Sequence, residues 1–185
     1  MRGTSIELSR GAGTRAGAVI VGTDGSQTAT RAVVTAAQVA LDNGVDLMIA
    51  LGFRPKSASG LLAVDPYLPD AELWRLSPGA QGEHHVQAAI AAAREVTGDA
   101  IHVRGRCEPG NPARLLLELA DEVAAPAIVV GNVGMTGWGH RRSVPHRITT
   151  HASCDVVVVD TDSWAKGGVA PEAPISALVR RANQS

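Results

Sequence analysis

Apolar residues arrive along this chain in two rhythms. Short unbroken runs at Ala18-Val19-Ile20-Val21, Leu47 to Leu51, Ala127-Ile128-Val129-Val130 and Val156-Val157-Val158-Val159 have the pattern of strands covered on both faces. Between them the period lengthens. Ala29, Ala32, Val33, Ala36, Ala37, Ala40 and Leu41 fall on one helical stripe, which predicts an amphipathic helix closed by Asn43-Gly44. Val86, Ala89, Ile90 and Ala93 mark a second helix, and Leu115, Leu116, Leu119, Ala120 and Val123 a third. Asn111-Pro112 opens that third helix with a capping side chain and a proline in its first turn. Ser143-Val144-Pro145 opens a short fourth one. Ala100 to Cys107 is less apolar and predicts a strand nearer an edge. Strands alternating with helices imply right-handed crossovers. The expected fold class is α/β, an open five-stranded parallel sheet with helices on both faces.

The flanks and one internal stretch break both rhythms. Residues 1–16 are rich in Gly, Arg, Ser and Thr and read as a flexible N-terminal arm. Residues 17–161 form the α/β domain. Within it, residues 54–80 carry Pro55, Pro66, Pro69 and Pro78 and no sustained period, so a long loop is expected there. The C-terminal tail, 162–185, places Ile175, Leu178, Val179 and Ala182 at helical spacing after Pro171 and Pro174, which suggests either a short docking helix or a frayed end.

Composition narrows the functions. With 17 basic and 18 acidic residues the net charge is −1, and no overall basic field exists to recruit a nucleic-acid backbone. Aromatic residues make up only 3%, too few for a platform that stacks single-stranded bases. Cys107 and Cys154 are the only cysteines and lie far apart. They make neither a disulfide framework nor a zinc knuckle, and read as inert core thiols in a cytoplasmic protein. Arg2, Arg10 and Arg15 precede no apolar run of the kind a signal peptide needs, and no run is long enough to span a bilayer. No membrane partner is expected.

In open parallel sheets, ligands bind beyond the carboxyl ends of the strands where strand order reverses. Two loops are candidates, Gly22-Thr23-Asp24-Gly25-Ser26 after the first strand and Gly131-Asn132-Val133-Gly134 after the fourth. Glycines let backbone approach a ligand, and a helix N-terminus offers N–H groups to an anion. From Pro126 to Cys154 there is no Asp or Glu, while His140, Arg141, Arg142, His146, Arg147 and His151 cluster there. That excess favours a phosphate over a merely solvated face. Asp24 suits a ribose hydroxyl or an adenine edge, and equally the cap of the first helix. Adjacent His84 and His85 point in different directions on a helix, and His146 and His151 are poorly spaced for one face, so no metal site is expected. No G-x-x-x-x-G-K-[ST] loop, G-x-G-x-x-G fingerprint in strand–helix context or G-x-S-x-G elbow occurs.

Over residues 17–161 the sequence resembles the universal stress protein family. The likeness rests on the Val-Gly-Thr-Asp-Gly-Ser start, Gly110-Asn111-Pro112-Ala113, Val129-Val130-Gly131-Asn132-Val133-Gly134 and the terminal valine strand. The resemblance implies strand order 3-2-1-4-5, a homodimer paired through strand five, and in one branch an adenine nucleotide between strands one and four. The family's nucleotide motif is G-x2-G-x9-G-[ST]. Here Gly131 and Gly134 are kept, but the stretch after them is two residues shorter, so Arg142-Ser143 takes the Gly-Ser place before Val144-Pro145. Arg142 brings a side chain where bare backbone would meet phosphate. It either clashes with a triphosphate or supplies a charge to a shorter phosphate, so ATP with magnesium is in question, AMP and cyclic AMP fit the altered loop as well, and the three stay open.

Carried over by motif, Thr23 and Asp24 would meet the adenosine and Leu51 would line the adenine. Gly131, Asn132 and Gly134 would cradle phosphate, with Arg142, Ser143 and Val144 completing the nucleotide-binding set. The expected function is a regulatory module in stress response rather than an enzyme. The alternative is a member that binds no nucleotide and acts through protein–protein contacts. Slow ATP hydrolysis is the weakest reading, because residues 126–154 hold no general base and only Asp24 faces them from the opposite loop.

Overall fold

The computed structural model describes residues 17–55, 77–132, 143–159 and the backbone of 179–180. Five strands and four helices alternate as the hydrophobic rhythms require: β1 (Ala18–Gly22), α1 (Gln27–Asn43), β2 (Asp46–Phe53), α2 (Pro78–Thr97), β3 (Val103–Pro109), α3 (Pro112–Glu122), β4 (Ala127–Gly131), α4 (Val144–His151) and β5 (Asp155–Val159). The five strands are parallel, in the order β3-β2-β1-β4-β5.

Alternation along each strand explains the unbroken apolar runs. In β1, Val19 and Val21 face α1 and α2, and Ala18 and Ile20 face α3 and α4. In β4, Val129 joins the first layer, and Ile128 and Val130 the second. Each face is sealed by helices, so no position in the central strands is left for a polar residue. Ala32, Val33, Ala36, Ala37 and Ala40 are wholly buried on α1. That stripe is mostly alanine, which lets the helix lie close to the sheet.

The helix starts follow the capping chemistry of the sequence. Ala29 N donates to Ser26 Oγ at 3.1 Å, Ala80 N to Ser77 Oγ at 3.2 Å, and His146 N to Ser143 Oγ at 3.4 Å. Asn111 Oδ1 accepts from both Ala113 N and Arg114 N, at 3.0 and 3.3 Å. Each bond satisfies a donor that the first helical turn cannot pair internally. α1 ends as expected at Gly44, in the left-handed region at φ 62°.

Three expectations shift. α2 begins at Pro78, inside the stretch read as loop, because Ser77 caps it; residues 56–76 lie outside the described residues, as do the arm at 1–16 and the segment 133–142. β3 starts at Val103 rather than Ala100, since Ala100 N still bonds back to Thr97 O at 3.1 Å at the close of α2. Val179, expected on a helix, lies in a strand: β6 (Val179–Arg180) runs antiparallel to β5, pairing Val157 with Val179 and Val156 with Arg180, while the rest of the tail, with Ile175, Leu178 and Ala182, lies outside the described residues. An apolar edge strand invites pairing, and this edge is partly filled by the chain itself. The opposite edge, β3, carries charge instead, with Arg104 bound to Asp46 and Arg106 to Glu108 and Glu122.

Candidate functional site

β1 and β4 are neighbours for only two residues, Ile20 with Ile128 and Val21 with Val129. Beyond that pairing their chains leave for opposite faces. β1 feeds α1, packed beside α2, whereas β4 leads to the layer that holds α3 and α4. Such a divergence at the carboxyl end of the sheet is the usual place for a ligand in this architecture. It begins at Gly22 and Gly131, both half-buried at the ends of otherwise buried strands.

The wall after β1 is a tight turn held by its own side chains. Thr23 N donates to Ala50 O at 3.0 Å, which ties the turn to β2. Gly25 N donates to Thr23 Oγ1 at 3.2 Å, and Ser26 N to Asp24 Oδ1 at 3.0 Å. Gly25 supplies the positive φ of 79° that reverses the chain. Of the two roles left open for Asp24, capping α1 belongs to Ser26 instead. Asp24 is exposed, and its Oδ2 has no hydrogen-bond partner among the described residues. A carboxylate oxygen of that kind can accept from a hydroxyl or an amino group.

The wall after β4 is set by backbone. Asn132 N donates to Val159 O at 2.9 Å, which keeps Gly131-Asn132 in line with β5 as the chain leaves the sheet. The chain re-enters the described residues at Ser143, the cap of α4, with Pro145 in the first turn and buried. The start of α4 thus presents backbone N–H groups and the positive end of a helix dipole. Arg147 and His151 add exposed basic groups along the same helix. Gly134 and Arg142 fall in the segment outside the described residues, so their part in the site rests on the motif alone.

Leu51, on β2, is 7% exposed and packs towards Gly82 of α2, so it belongs to the apolar layer under that helix rather than to an open face. Two neighbours missed by the sequence reading also shape this end. Gly52 lies so close to the start of α3 that a Cβ there would sit 2.8 Å from Pro112 Cα, and Gly110 N bonds to Phe53 O at 2.8 Å. A glycine inside an apolar strand is the signal that such a close approach exists.

Burial raises the Cys107 thiol above the ordinary thiol range, with Glu83 and Glu108 adding to it. Burial does the same to Cys154, helped by Asp155. Both remain thiols at neutral pH, which suits a packing role. Among the described residues, no three His, Cys, Asp or Glu side chains gather to hold a metal ion, and no helix is long and apolar enough to cross a membrane.

Residues 17–160 match the model of the universal stress protein family. Universal stress proteins MT1672 and Rv1636, from two strains of Mycobacterium tuberculosis, are each 34% identical over 154 residues, covering 77% of this chain and 95% of theirs. Among solved structures, a universal stress protein in complex with cAMP is 31% identical with a TM-score of 0.61, covering 79% of this chain and 98% of its own. A universal stress protein from Archaeoglobus fulgidus in complex with dAMP, 19% identical with a TM-score of 0.54 over 76% of this chain and 94% of its own, shares the fold.

Proposed function

Because the chain belongs to the universal stress protein family, we propose that it is an adenine-nucleotide-binding regulatory module of the stress response, working in the cytoplasm without efficient turnover. One observation carries this reading. The Thr23-Asp24 turn and the Gly131-Asn132 exit leave the carboxyl end of neighbouring strands β1 and β4, and the Ser143-capped α4 follows the second of them, in a chain 31% identical to a protein whose structure holds cAMP.

Each wall has a chemical part. Asp24 Oδ2 accepts from the ribose or the adenine amino group, and the Thr23 side chain borders it. Leu51 backs the adenine. Gly131, Asn132 and Gly134 bring backbone near the phosphate, which lies at the start of α4 beside Ser143 and Val144. Arg142 replaces the glycine of the family motif and supplies a charge suited to a single phosphate group. AMP and cyclic AMP therefore fit better than ATP, which would need magnesium and more room.

Self-association belongs to the same reading. β5 is the apolar edge that a second copy would pair with, and β6 already covers it at Val156 and Val157. A homodimer through β5 must share or displace that pairing.

A thermal-shift panel of ATP, ADP, AMP and cyclic AMP, with and without magnesium, tests the reading. A ligand present at 100 times its dissociation constant stabilises the folded state by about 2.7 kcal/mol. A clear rise with AMP or cyclic AMP is expected. No rise with any of the four would refute nucleotide binding and favour a member that acts through protein contacts.

A further inference from the structure

α2 crosses beside α1, and at that crossing His85 meets the turn after β1. The imidazole lies against the bare Cα of Gly25, and a Cβ built on Gly25 would overlap its Nδ1, Cγ and Cε1 atoms. The contact is long-range in sequence and joins the turn before α1 to α2. His85 is half-buried, while its neighbour His84 is exposed, with ring centroids 6.1 Å apart and planes tilted by 55°. His85 is therefore the member of the pair turned towards Gly25. The next residue, Val86, is 1% exposed, and Ala89 and Ala93 are buried on the same helix, so the ring stands on an anchored support.

The turn is tied to β2 at Thr23, whose N–H donates to Ala50 O, and beyond that residue it needs such a support. Its internal hydrogen bonds, Gly25 N to Thr23 Oγ1 and Ser26 N to Asp24 Oδ1, each span two residues and lie in solvent. Local exposed bonds of this kind contribute little net stability. Gly25 brings no side chain of its own and has wide backbone freedom when unpacked. The imidazole fills the place where a side chain at Gly25 would be, and restricts the residue that sets the direction of Thr23 and Asp24.

We infer that His85 is a positioning residue: its ring clamps the Gly25 turn and so holds Thr23 and Asp24 in the geometry that receives the nucleotide. The inference rests on the nucleotide reading for its functional half and on packing alone for its structural half. The two halves can be tested separately.

The experiment compares the full-length protein with His85→Ala and His85→Phe, by amide hydrogen exchange and by calorimetric titration with cyclic AMP. In His85→Ala, exchange at Gly25 and Ser26 is expected to quicken about tenfold, while the buried amides of β1 and β4 keep their protection. Affinity for cyclic AMP falls about tenfold in parallel. His85→Phe keeps a flat ring and restores both readouts to within about threefold. Unchanged exchange at Gly25 in His85→Ala overturns the inference, as does His85→Phe behaving like His85→Ala. Slowed exchange lost without any change in affinity overturns the functional half. Should the unmodified protein bind no cyclic AMP, the nucleotide reading falls by itself, and the exchange comparison still decides whether His85 holds the turn.

Discussion

Gly52→Ala is a one-methyl perturbation whose cost follows from the way α3 meets the sheet. The new Cβ would stand 2.8 Å from Pro112 Cα and 3.0 Å from Pro112 N, against 3.4 Å for an ordinary contact. Both atoms are backbone, so no rotamer relieves the overlap. Nor can the first turn of α3 move freely. Asn111 Oδ1 holds Ala113 N and Arg114 N, and Gly110 N is bonded to Phe53 O. Relief therefore requires about 0.6 Å of displacement of helix against strand, the difference between those distances. Overpacking of this kind costs roughly 1–3 kcal/mol. Alanine returns roughly 0.4–1 kcal/mol by restricting the unfolded chain, which leaves a net loss of about 1.3 kcal/mol at the middle of the two ranges and about 2.6 kcal/mol at most. For a domain of this size each kcal/mol lowers Tm by about 2–4 °C.

Gly79→Ala supplies the contrast. Its Cβ would lie 3.3 Å from Phe53 Cζ, the tip of a side chain that can give way, and it gains up to about 1 kcal/mol of helix propensity. Urea denaturation of the two variants should move in opposite directions from the unmodified protein. Gly52→Ala that is as stable as the parent, or more so, refutes the packing described for the start of α3.

Three further predictions concern the site and the edges. Asp24→Ala should weaken cyclic AMP binding about tenfold or more by calorimetry, with little change in Tm because Ser26 still caps α1; unchanged affinity would remove Asp24 from the site. Deleting residues 162–185 uncovers Val156 and Val157 on β5, so light scattering at micromolar concentration should show more dimer than the full chain gives, and equal masses would show that the tail does not compete for that edge. Alkylation of Cys107 and Cys154 should reach its half-maximal rate at a higher pH than a free thiol, because burial raises both. A thiol with a raised folded pKa binds its proton more tightly when folded, so its contribution is intact below the ordinary thiol range and lost as pH climbs through the folded value. Faster alkylation than a free thiol at neutral pH would contradict that burial.

The parallel sheet was legible because residues buried on both faces leave no room for polar interruption, as β1 and β4 illustrate. Helix starts were legible for a different reason. Ser143 before Val144-Pro145 and Asn111 before Pro112 name a cap and a first turn that only a helix uses. The start of α2 was obscured because Gly79 and Gly82 interrupt its apolar stripe, and their reason for being there is the closeness of Phe53, Leu51 and Cys107. Val179 fits helical spacing and strand equally well, and the open edge of β5 decides between them. His85 carries no periodic signal whatever. Only the crossing of α2 over the turn at Gly25 gives it a place, and spacing along one chain does not encode that crossing.

An adenine nucleotide should land at the carboxyl end of the sheet, between β1 and β4. Titrating the isotope-labelled protein with cyclic AMP, and following backbone amide shifts, reads this residue by residue. Saturable changes are expected at Thr23, Asp24, Asn132, Ser143 and Val144, with Gly44 and Gly98 at the far end of the sheet unmoved. Changes centred on Gly44 or Gly98, or none at any concentration, would contradict it.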